Sequence, residues 1–270
     1  MSESSAGNGD SPVESVDYAT YLQLPQLLAL QKPLTQPAVH DEMLFVIVHQ
    51  THELWFKQMI WELRAAISQI DSNCWPAACK TLQRVSSIVA LLVQHVVILE
   101  TMPPSEFQRF RGGLGTASGV QSAQFREIEM LSGYPPISER ARANAAHAAG
   151  AARSGSANLR QALLRACSST SPPSLLQLRR WYSDPECEPQ RRLADCLLDL
   201  DDQLALWRES HVRLVRGMIG ERMGTGGSSG VQYLEETLEQ RLLPELRAAR
   251  QAERDAAREN SGEGLGGQRS

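Results

Sequence analysis

The chain has 270 residues, of which 42% are hydrophobic, so it can bury a sizeable core in one domain or two small ones. Its formal net charge of −4 at pH 7 gives no bulk attraction for nucleic-acid phosphates or anionic lipids, which argues against both as partners. The five cysteines are an odd number without a C-x-x-C pair, which disfavours a disulfide framework or zinc ribbon and indicates a reducing compartment.

The N-terminal part of the chain predicts a tail followed by a short helix. Residues 1–16 are polar and acidic, typical of a flexible tail, and lack the basic and apolar regions of a secretion signal. We therefore expect a cytoplasmic protein. A short helix is predicted over about 18–30, with Pro25 as a kink or a restart point.

Two long helices are predicted next. Apolar residues recur at helical spacing over 42–70, and after Pro76 a return helix is predicted over 77–101, antiparallel to the first. The most apolar run of the second helix, 88–99, is interrupted by Gln94 and His95. It is too short and too polar for a membrane span, so we expect none.

The rest of the chain continues the helical pattern. Short helices are predicted over 105–132 around a glycine-rich link, and short helices with a mobile connection over 133–172. A long amphipathic helix is predicted over 189–219, then a glycine-rich loop at 224–230 and a last helix from about 231. The class is all-α, with long antiparallel helices in a bundle. We expect a single domain over 17–250 and a disordered tail over 251–270.

The stripe of apolar residues on the helix over 189–219 contains one histidine. His211 shares this face with Leu204, Trp207 and Leu214. Imidazole among aliphatic side chains is unfavourable unless its nitrogens find partners, so a core histidine bonded to a carbonyl or carboxylate is one interpretation. The other is an axial ligand of heme iron, which is commonly a helical histidine.

Two further histidines lie on one face of the helix over 42–70. His49 and His52 share that face with Phe45 and Phe56. The pattern H-x-x-H-E is not the H-E-x-x-H of zinc proteases, and no E-x-x-H pair for a di-iron site is present. On spacing alone, one packed histidine and one solvated histidine are favoured over a site.

Two more segments could bind charged groups. Arg109 and Arg111 are interleaved with Phe107 and Phe110, and an arginine there could bind a carboxylate bidentately. The loop over 224–230 lacks the lysine of a phosphate-binding loop, so nucleotide binding is unexpected. It could wrap a small ion or serve as a flexible connector.

In combination and in this order, the segments resemble the tryptophan 2,3-dioxygenases, heme enzymes that open the indole ring of L-tryptophan with O₂. The similarity covers 18–132 and 190–245. The similar stretches are Tyr18-Ala-Thr-Tyr21-Leu, His40-Asp-Glu-Met-Leu-Phe45, His49-Gln-Thr-His-Glu-Leu-Trp-Phe-Lys57, Phe110-Arg111, Ala117-Ser118-Gly119 with Gln121-Ser122, Trp207-Arg208 leading to His211, and Ile219-Gly220 with Gly224-Thr-Gly-Gly-Ser-Ser-Gly230 and Tyr233-Leu234.

The resemblance implies a helical bundle around heme b, with the glycine-rich loop over the substrate pocket. It implies that His211 is the axial ligand of the heme iron and that His49 is the distal, catalytic histidine, bonded to the substrate indole N–H. Ser118 and Gly119 would lie on the oxygen side of the heme.

The resemblance also implies the substrate contacts. Arg111 would clamp the carboxylate, Thr225 and the glycine loop would hold the amino-acid end, and Phe45 and Phe107 would form walls of the indole pocket. Tyr18 and Tyr21 would reach into the site of a neighbouring subunit, which implies a homotetramer.

Three functions stay open from the sequence. The first is a dioxygenase that cleaves the indole C2–C3 bond of L-tryptophan or a close derivative, giving N-formylkynurenine. The second is a heme-dependent monooxygenase that converts a substituted tryptophan to a 3-hydroxy or 2-oxindole product in secondary metabolism. Its motivation is Val120, where the family usually has phenylalanine, and a short connection between Arg126 and Trp207. The third is a non-catalytic heme sensor or helical scaffold.

Overall fold

The structure, a computed structural model, describes residues 17–134, 158–167, 175–220, 222–225 and 230–260. Within these ranges the regular elements are helices, and no strand occurs. The α-helices are α1 (Tyr18–Tyr21), α2 (Leu24–Leu27), α3 (His40–Asp71), α4 (Trp75–Glu100), α5 (Pro104–Arg111), α6 (Ala123–Ser132), α7 (Leu159–Cys167), α8 (Leu175–Ser183), α9 (Glu188–Ile219), α10 (Val231–Glu235) and α11 (Pro244–Asn260). Short 3-10 turns occupy Gly112–Leu114, Gly119–Gln121 and Pro185–Cys187.

The core of the bundle lies between the three long helices. α4 packs against both α3 and α9, and the side chains between them, such as Leu63, Leu92 and Leu197, are almost completely buried. These residues belong to the apolar stripes that recur at helical spacing in the sequence. The predicted all-α class is confirmed, and the three long helices begin and end within two residues of the predicted bounds.

Helix α4 is long and apolar enough to cross a membrane by length and composition, with a mean hydropathy of 1.7 over its most apolar stretch. The core helix of a soluble protein meets the same criterion, and 39% of this stretch is buried in the bundle. The apolar part of this helix is thus longer than the interrupted run over 88–99, and it is weak evidence for a membrane span.

The segment before α3 is fastened to that helix by one buried carboxylate. Gln23, with a left-handed φ of 52°, separates α1 from α2, so the chain restarts just before Pro25, as predicted. Glu42 is 2% exposed and accepts hydrogen bonds from the amides of Leu34 at 2.7 Å and Thr35 at 3.1 Å. The Thr35 hydroxyl also donates to it. These bonds fix the chain between α2 and α3 on the bundle.

The C-terminal segment is fastened to α9 in a similar way. Asp201 is fully buried, and it accepts hydrogen bonds from the Tyr134 hydroxyl at 2.8 Å and the Leu242 amide at 2.9 Å. Arg247 on α11 donates to it at 2.9 Å. This carboxylate therefore joins α9 both to the residue that follows α6 closely and to the C-terminal segment.

Three parts of the fold differ from the predicted elements. The helix expected from about 118 is a 3-10 turn followed by α6, and the last helix is divided into α10 and α11. α11 extends to Asn260, ten residues into the segment predicted to be a disordered tail. The predicted tails over 1–16 and 261–270 lie outside the described residues, as do parts of the connection predicted over 133–172.

Candidate active site

A large and mostly apolar cavity lies where α3, α5, α6 and α9 meet, and the loop after α9 contributes to its wall. It is lined by eight of the predicted site residues: Phe45, His49, Phe107, Arg111, Ser118, Gly119, His211 and Thr225. Tyr18 and Tyr21 lie outside the cavity of their own chain and are 75% and 76% exposed. Their contribution to a neighbouring subunit's site stays a prediction.

His211 projects from α9 into the cavity as a neutral imidazole. Its ring is stacked on the indole of Trp207, with ring centroids 5.3 Å apart and an interplanar angle of 5°. Burial, with smaller contributions from His49 and His52, lowers the pKa of His211 to about 4. The imidazole makes no hydrogen bond with the residues that the structure describes, so it keeps a lone pair for a ligand or metal.

His49 is held by the backbone of its own helix. Its Nδ1 lies 2.7 Å from the carbonyl oxygen of Phe45, and the two rings are 4.0 Å apart. Because a carbonyl oxygen only accepts, Nδ1 carries the proton and Nε2 is the acceptor. Burial lowers the pKa of His49, although the Phe45 carbonyl and Glu53 oppose this, so the ring is neutral at pH 7.

His52 also lines the cavity, one turn beyond His49. Its Nδ1 donates to the Val48 carbonyl at 2.8 Å, and its ring lies 5.3 Å from that of His95. Burial lowers the pKa of His52 to about 4, although the hydrogen bond to Val48 opposes this. His49 and His95 lower the pKa further. The structure thus places both histidines of the H-x-x-H pattern at the cavity.

Aromatic side chains from α3 and α5 pack together in one wall. The ring of Phe45 lies 5.8 Å from Phe107 and 5.4 Å from Phe110, and the last two meet edge to face at 5.3 Å. Such tilted and edge-to-face contacts hold aromatic rings in a fixed arrangement. The wall therefore presents a rigid apolar surface to a ligand.

Arg111 and Thr225 each form a hydrogen bond to a backbone carbonyl close to the other residue in sequence. Arg111 donates from Nη2 to the Met223 carbonyl at 2.7 Å, and Thr225 donates from its hydroxyl to the Ala117 carbonyl at 2.5 Å. The first bond joins the end of α5 to the loop after α9, and the second joins the segment after α5 to the same loop. The two residues predicted to hold the amino-acid end of a substrate thus lie in the same part of the cavity wall.

The loop itself depends on a glycine at its end. Gly230 has a φ of +67°, and a Cβ added there would lie 2.6 Å from the carbonyl oxygen of Arg222. Only glycine adopts this backbone conformation without strain at such a close approach. Residues 226–229 of the predicted glycine-rich loop lie outside the described residues.

Ser118 and Gly119 are placed by a local cap. The Ser118 hydroxyl accepts from the Val120 amide at 3.4 Å, and the Ser118 amide donates to the Gln121 side chain at 3.3 Å. This reciprocal arrangement is a capping box, and it starts the 3-10 turn over Gly119–Gln121. Val120 lines the cavity as well.

A group of charged residues at the cavity had no role in the sequence analysis. Arg208 is 5% exposed, lies 4.1 Å above the ring of Tyr134 and has Glu129 3.7 Å away. Arg126 donates to the same glutamate at 2.6 Å. The signal that could have indicated a site is an arginine three residues before His211 on an otherwise apolar helix face. Its burial, however, depends on Tyr134 and α6, which are distant in sequence.

A cavity that is apolar except for a few convergent polar groups is typical of small-molecule enzymes. This cavity has neutral histidines inside it and an arginine in its wall. It is therefore typical of an all-helical enzyme rather than of an interaction scaffold.

The chain belongs to the tryptophan 2,3-dioxygenase family, whose model, described as tryptophan 2,3-dioxygenase, matches residues 3–152 and 174–251. A protein of that name from Caulobacter vibrioides is 40% identical over 256 residues, which cover 86% of this chain and 97% of the relative. One from Bacillus cereus is 38% identical over 257 residues, covering 86% and 91%. A third, from Anaeromyxobacter, is 36% identical over 263 residues, covering 88% and 96%.

Proposed function

We propose that this chain is a heme-dependent tryptophan 2,3-dioxygenase. It uses O₂ to cleave the indole C2–C3 bond of L-tryptophan or a close derivative and forms N-formylkynurenine, in which both oxygen atoms are retained. The observation that carries the proposal is that one cavity contains His211, His49 and Arg111. Membership of the family, with relatives named for this activity, supports the reaction.

The donor set at His211 fits heme b. Among the described residues, no group of three or more His, Cys, Asp or Glu side chains is placed to hold a metal ion. His211 offers one neutral imidazole without a hydrogen-bond partner in the described chain, so a metal there must bring most of its own ligands. Heme does this, because the porphyrin supplies four nitrogens and the protein one axial ligand. Bound heme supplies the iron that activates O₂.

His49 is suited to receive the indole N–H of the substrate. Its Nδ1 proton is committed to the Phe45 carbonyl, so Nε2 can only accept. The lowered pKa keeps Nε2 unprotonated at neutral pH. His49 then orients the indole by accepting a hydrogen bond from its N–H. No proton has to be supplied or removed overall, since the reaction of tryptophan with O₂ neither consumes nor releases protons.

Arg111 is suited to the substrate carboxylate. A guanidinium carries five N–H donors in a planar fork, and the bond to Met223 uses one of them. Thr225 and the adjoining loop would contact the ammonium end, and Phe45 and Phe107 would flank the indole ring. Ser118 and Gly119, fixed by their capping box, would border the space for O₂. These contacts orient the substrate and exclude water.

We also propose a cytoplasmic homotetramer in which Tyr18 and Tyr21 contribute to the site of a neighbouring subunit. The support is that both side chains are largely exposed in the single chain, while the segment that follows them is anchored on Glu42. We propose no nucleic-acid partner and no membrane association. Native mass spectrometry should give a tetramer, and tryptophan turnover in Tyr21→Ala should fall without a change in heme content.

Product analysis with ¹⁸O₂ tests the reaction. The protein is reconstituted with heme, reduced without oxygen and mixed with ¹⁸O₂ and L-tryptophan. We expect N-formylkynurenine that carries two labelled atoms. A product with one labelled atom would support the monooxygenase alternative, which neither the structure nor the comparisons favour. No product from L-tryptophan or from its ring- or β-methylated forms would contradict the proposal.

A further inference from the structure

We propose that Arg208 and the indole N–H of Trp207 form a carboxylate site in the cavity wall, and that this site receives a propionate of the heme bound by His211. The inference rests on the proposed function, because it requires heme at His211. It assigns a role to two adjacent residues of α9 that the reaction itself does not use.

Arg208 is a buried cation with an unused donor. Its side chain is 5% exposed and lines the cavity, and its Nη1 is buried without a hydrogen-bond partner among the residues that the structure describes. The guanidinium is held in place by the ring of Tyr134, 4.1 Å away. An unpartnered donor on a buried cation is costly, so a site of this kind indicates a missing acceptor.

Trp207 supplies a second unused donor at the same cavity. It is 8% exposed, and its Nε1 is buried with no hydrogen-bond partner in the described part of the chain. Buried indole N–H groups usually find an acceptor. Phe125 on α6 packs against the indole of Trp207, and Glu129, one turn further along α6, faces Arg208. The side chains that carry the two unused donors therefore both contact α6.

The charges around Arg208 leave it available for an anion. Glu129 is the nearest carboxylate, but its Oε1 is 3.7 Å from Arg208 Nη2, beyond hydrogen-bond distance. Its other oxygen accepts from Arg126 at 2.6 Å. The buried guanidinium of Arg208 and the largely buried one of Arg126 thus share one carboxylate, which leaves one positive charge uncompensated within this group. A further carboxylate would neutralise it and could bind bidentately to Arg208.

The position on α9 favours a carboxylate of the heme over that of the substrate. Arg208 precedes His211 by three residues, so the two side chains are about one turn apart on the same helix. Arg111, proposed for the substrate carboxylate, belongs instead to α5 and is bonded to Met223 in the loop after α9. The two carboxylates would therefore be bound at different walls of the cavity.

The test compares protoheme with its dimethyl ester, in which both propionates are uncharged. Apoprotein is reconstituted with each, and the rate of transfer to excess apomyoglobin is measured at pH 7 without tryptophan. We expect the wild type to release the ester about tenfold faster than protoheme or more, as for a lost charge-assisted hydrogen bond. Arg208→Gln should release protoheme as fast as the ester, and Arg208→Lys should retain part of the difference.

Arg213→Gln is the matched control. Arg213 is on the same helix, 64% exposed and bonded to Glu100 at 2.9 Å, so this variant should keep the wild-type discrimination. Equal release of protoheme and ester by the wild type would overturn the inference. So would unchanged discrimination in Arg208→Gln. If that variant does not fold, Arg208→Lys and Trp207→Phe decide, and unchanged discrimination in both overturns it.

Failure of the inference and failure of the proposed function give different results. If the wild type binds protoheme and its ester equally well through His211, only the carboxylate site is wrong. If the wild type retains neither heme better than His211→Ala does, the proposed function itself is wrong. Heme release is measured without turnover, so the outcome does not depend on the activity of the loaded enzyme.

Discussion

The imidazole of His211 lies parallel to the indole ring of Trp207, with an interplanar angle of 5° and ring centroids 5.3 Å apart. Both rings belong to α9, so the helix itself sets the plane of the imidazole. Trp207 is in turn fixed by Phe125 at 4.9 Å and Phe56 at 6.3 Å. The proposed iron ligand therefore has its orientation before any cofactor binds, which lowers the entropic cost of binding.

Replacing His211 by alanine should abolish stable heme loading, because it removes the one ligand that the protein would supply to the iron. The measurement is the Soret absorbance per chain after reconstitution and desalting. His40→Ala, at the exposed start of α3, is the control and should load heme normally. A normal heme spectrum in His211→Ala would contradict the assignment of the ligand.

Replacing Arg111 by alanine should lower kcat/KM for L-tryptophan about 100-fold, since a carboxylate would lose charge-assisted hydrogen bonds of about 3 kcal/mol in total. Most of the effect should be on KM, with an unchanged heme spectrum. Steady-state kinetics measures it. Arg109→Ala is the control, because Arg109 is on the same helix but is 56% exposed and bonded to Glu106. Full turnover in Arg111→Ala would rule out the clamp.

Replacing Gly230 by alanine should raise KM at unchanged heme content. The positive φ and the 2.6 Å approach to the Arg222 carbonyl would displace the loop at a cost of roughly 1–3 kcal/mol, which corresponds to about a 5- to 150-fold effect. In Gly217→Ala, on α9, the added Cβ meets nothing within 4 Å, so this control should leave KM unchanged. Equal kinetics for the two variants would show that the loop conformation does not matter for binding.

Replacing Glu42 by alanine should destabilise the protein by about 2–3 kcal/mol, because the amides of Leu34 and Thr35 lose a charged acceptor that is itself buried. Limited proteolysis should then cut the segment between α2 and α3 faster than in the wild type. Asp41→Asn, one residue away in the first turn of α3, controls for the loss of a negative charge at the helix N-terminus. Equal proteolysis of both variants would mean that Glu42 does not hold this segment.

The stability of the apoprotein should fall as the pH falls from about 6.5 to about 4. The pKa of His52 is about 4 in the folded chain, below its ordinary value of 6.5, so the unfolded chain binds the proton first. Over this whole range His52 should contribute a loss of about 3 kcal/mol. Urea unfolding at several pH values measures the slope.

His52→Phe should show a shallower slope in that experiment, whereas His40→Gln, at an exposed position, should keep the wild-type slope. A slope in His52→Phe identical to that of the wild type would show that His52 is not held neutral by burial. His49 and His211, whose pKa values are also lowered, account for slope that remains in the variant.

Much of the bundle could be predicted because its signals are local. The apolar spacing in α3, α4 and α9 sets both the helices and the faces that they bury, and Pro76 marks the turn between the first two. The end of α11 could not be predicted in this way. Its sequence is rich in charged residues, and what buries Leu246 and Ala249 is packing against α8, a contact that the local pattern does not contain.

The site followed from the sequence only through the resemblance. Taken alone, the face of α9 favoured an ordinary core position for His211 over a ligand, because helical spacing does not show whether an imidazole has a partner. Arg208 gave no signal as a site, since its unused donor and the Tyr134 ring above it arise from tertiary packing. Spacing identifies a face, whereas unpaired donors are visible only in three dimensions.

The hydrogen bond from Arg111 to Met223 joins segments 112 positions apart in the chain. Any ligand that shares this guanidinium is thermodynamically linked to this hydrogen bond. If the bond strengthens ligand binding by a certain factor, the ligand stabilises the bond by the same factor. Amide hydrogen exchange in the loop thus becomes a measure of ligand affinity that needs no oxygen and no turnover. For the same reason, we expect mutations in the loop to change the affinity for the ligand rather than the rate of the chemical step.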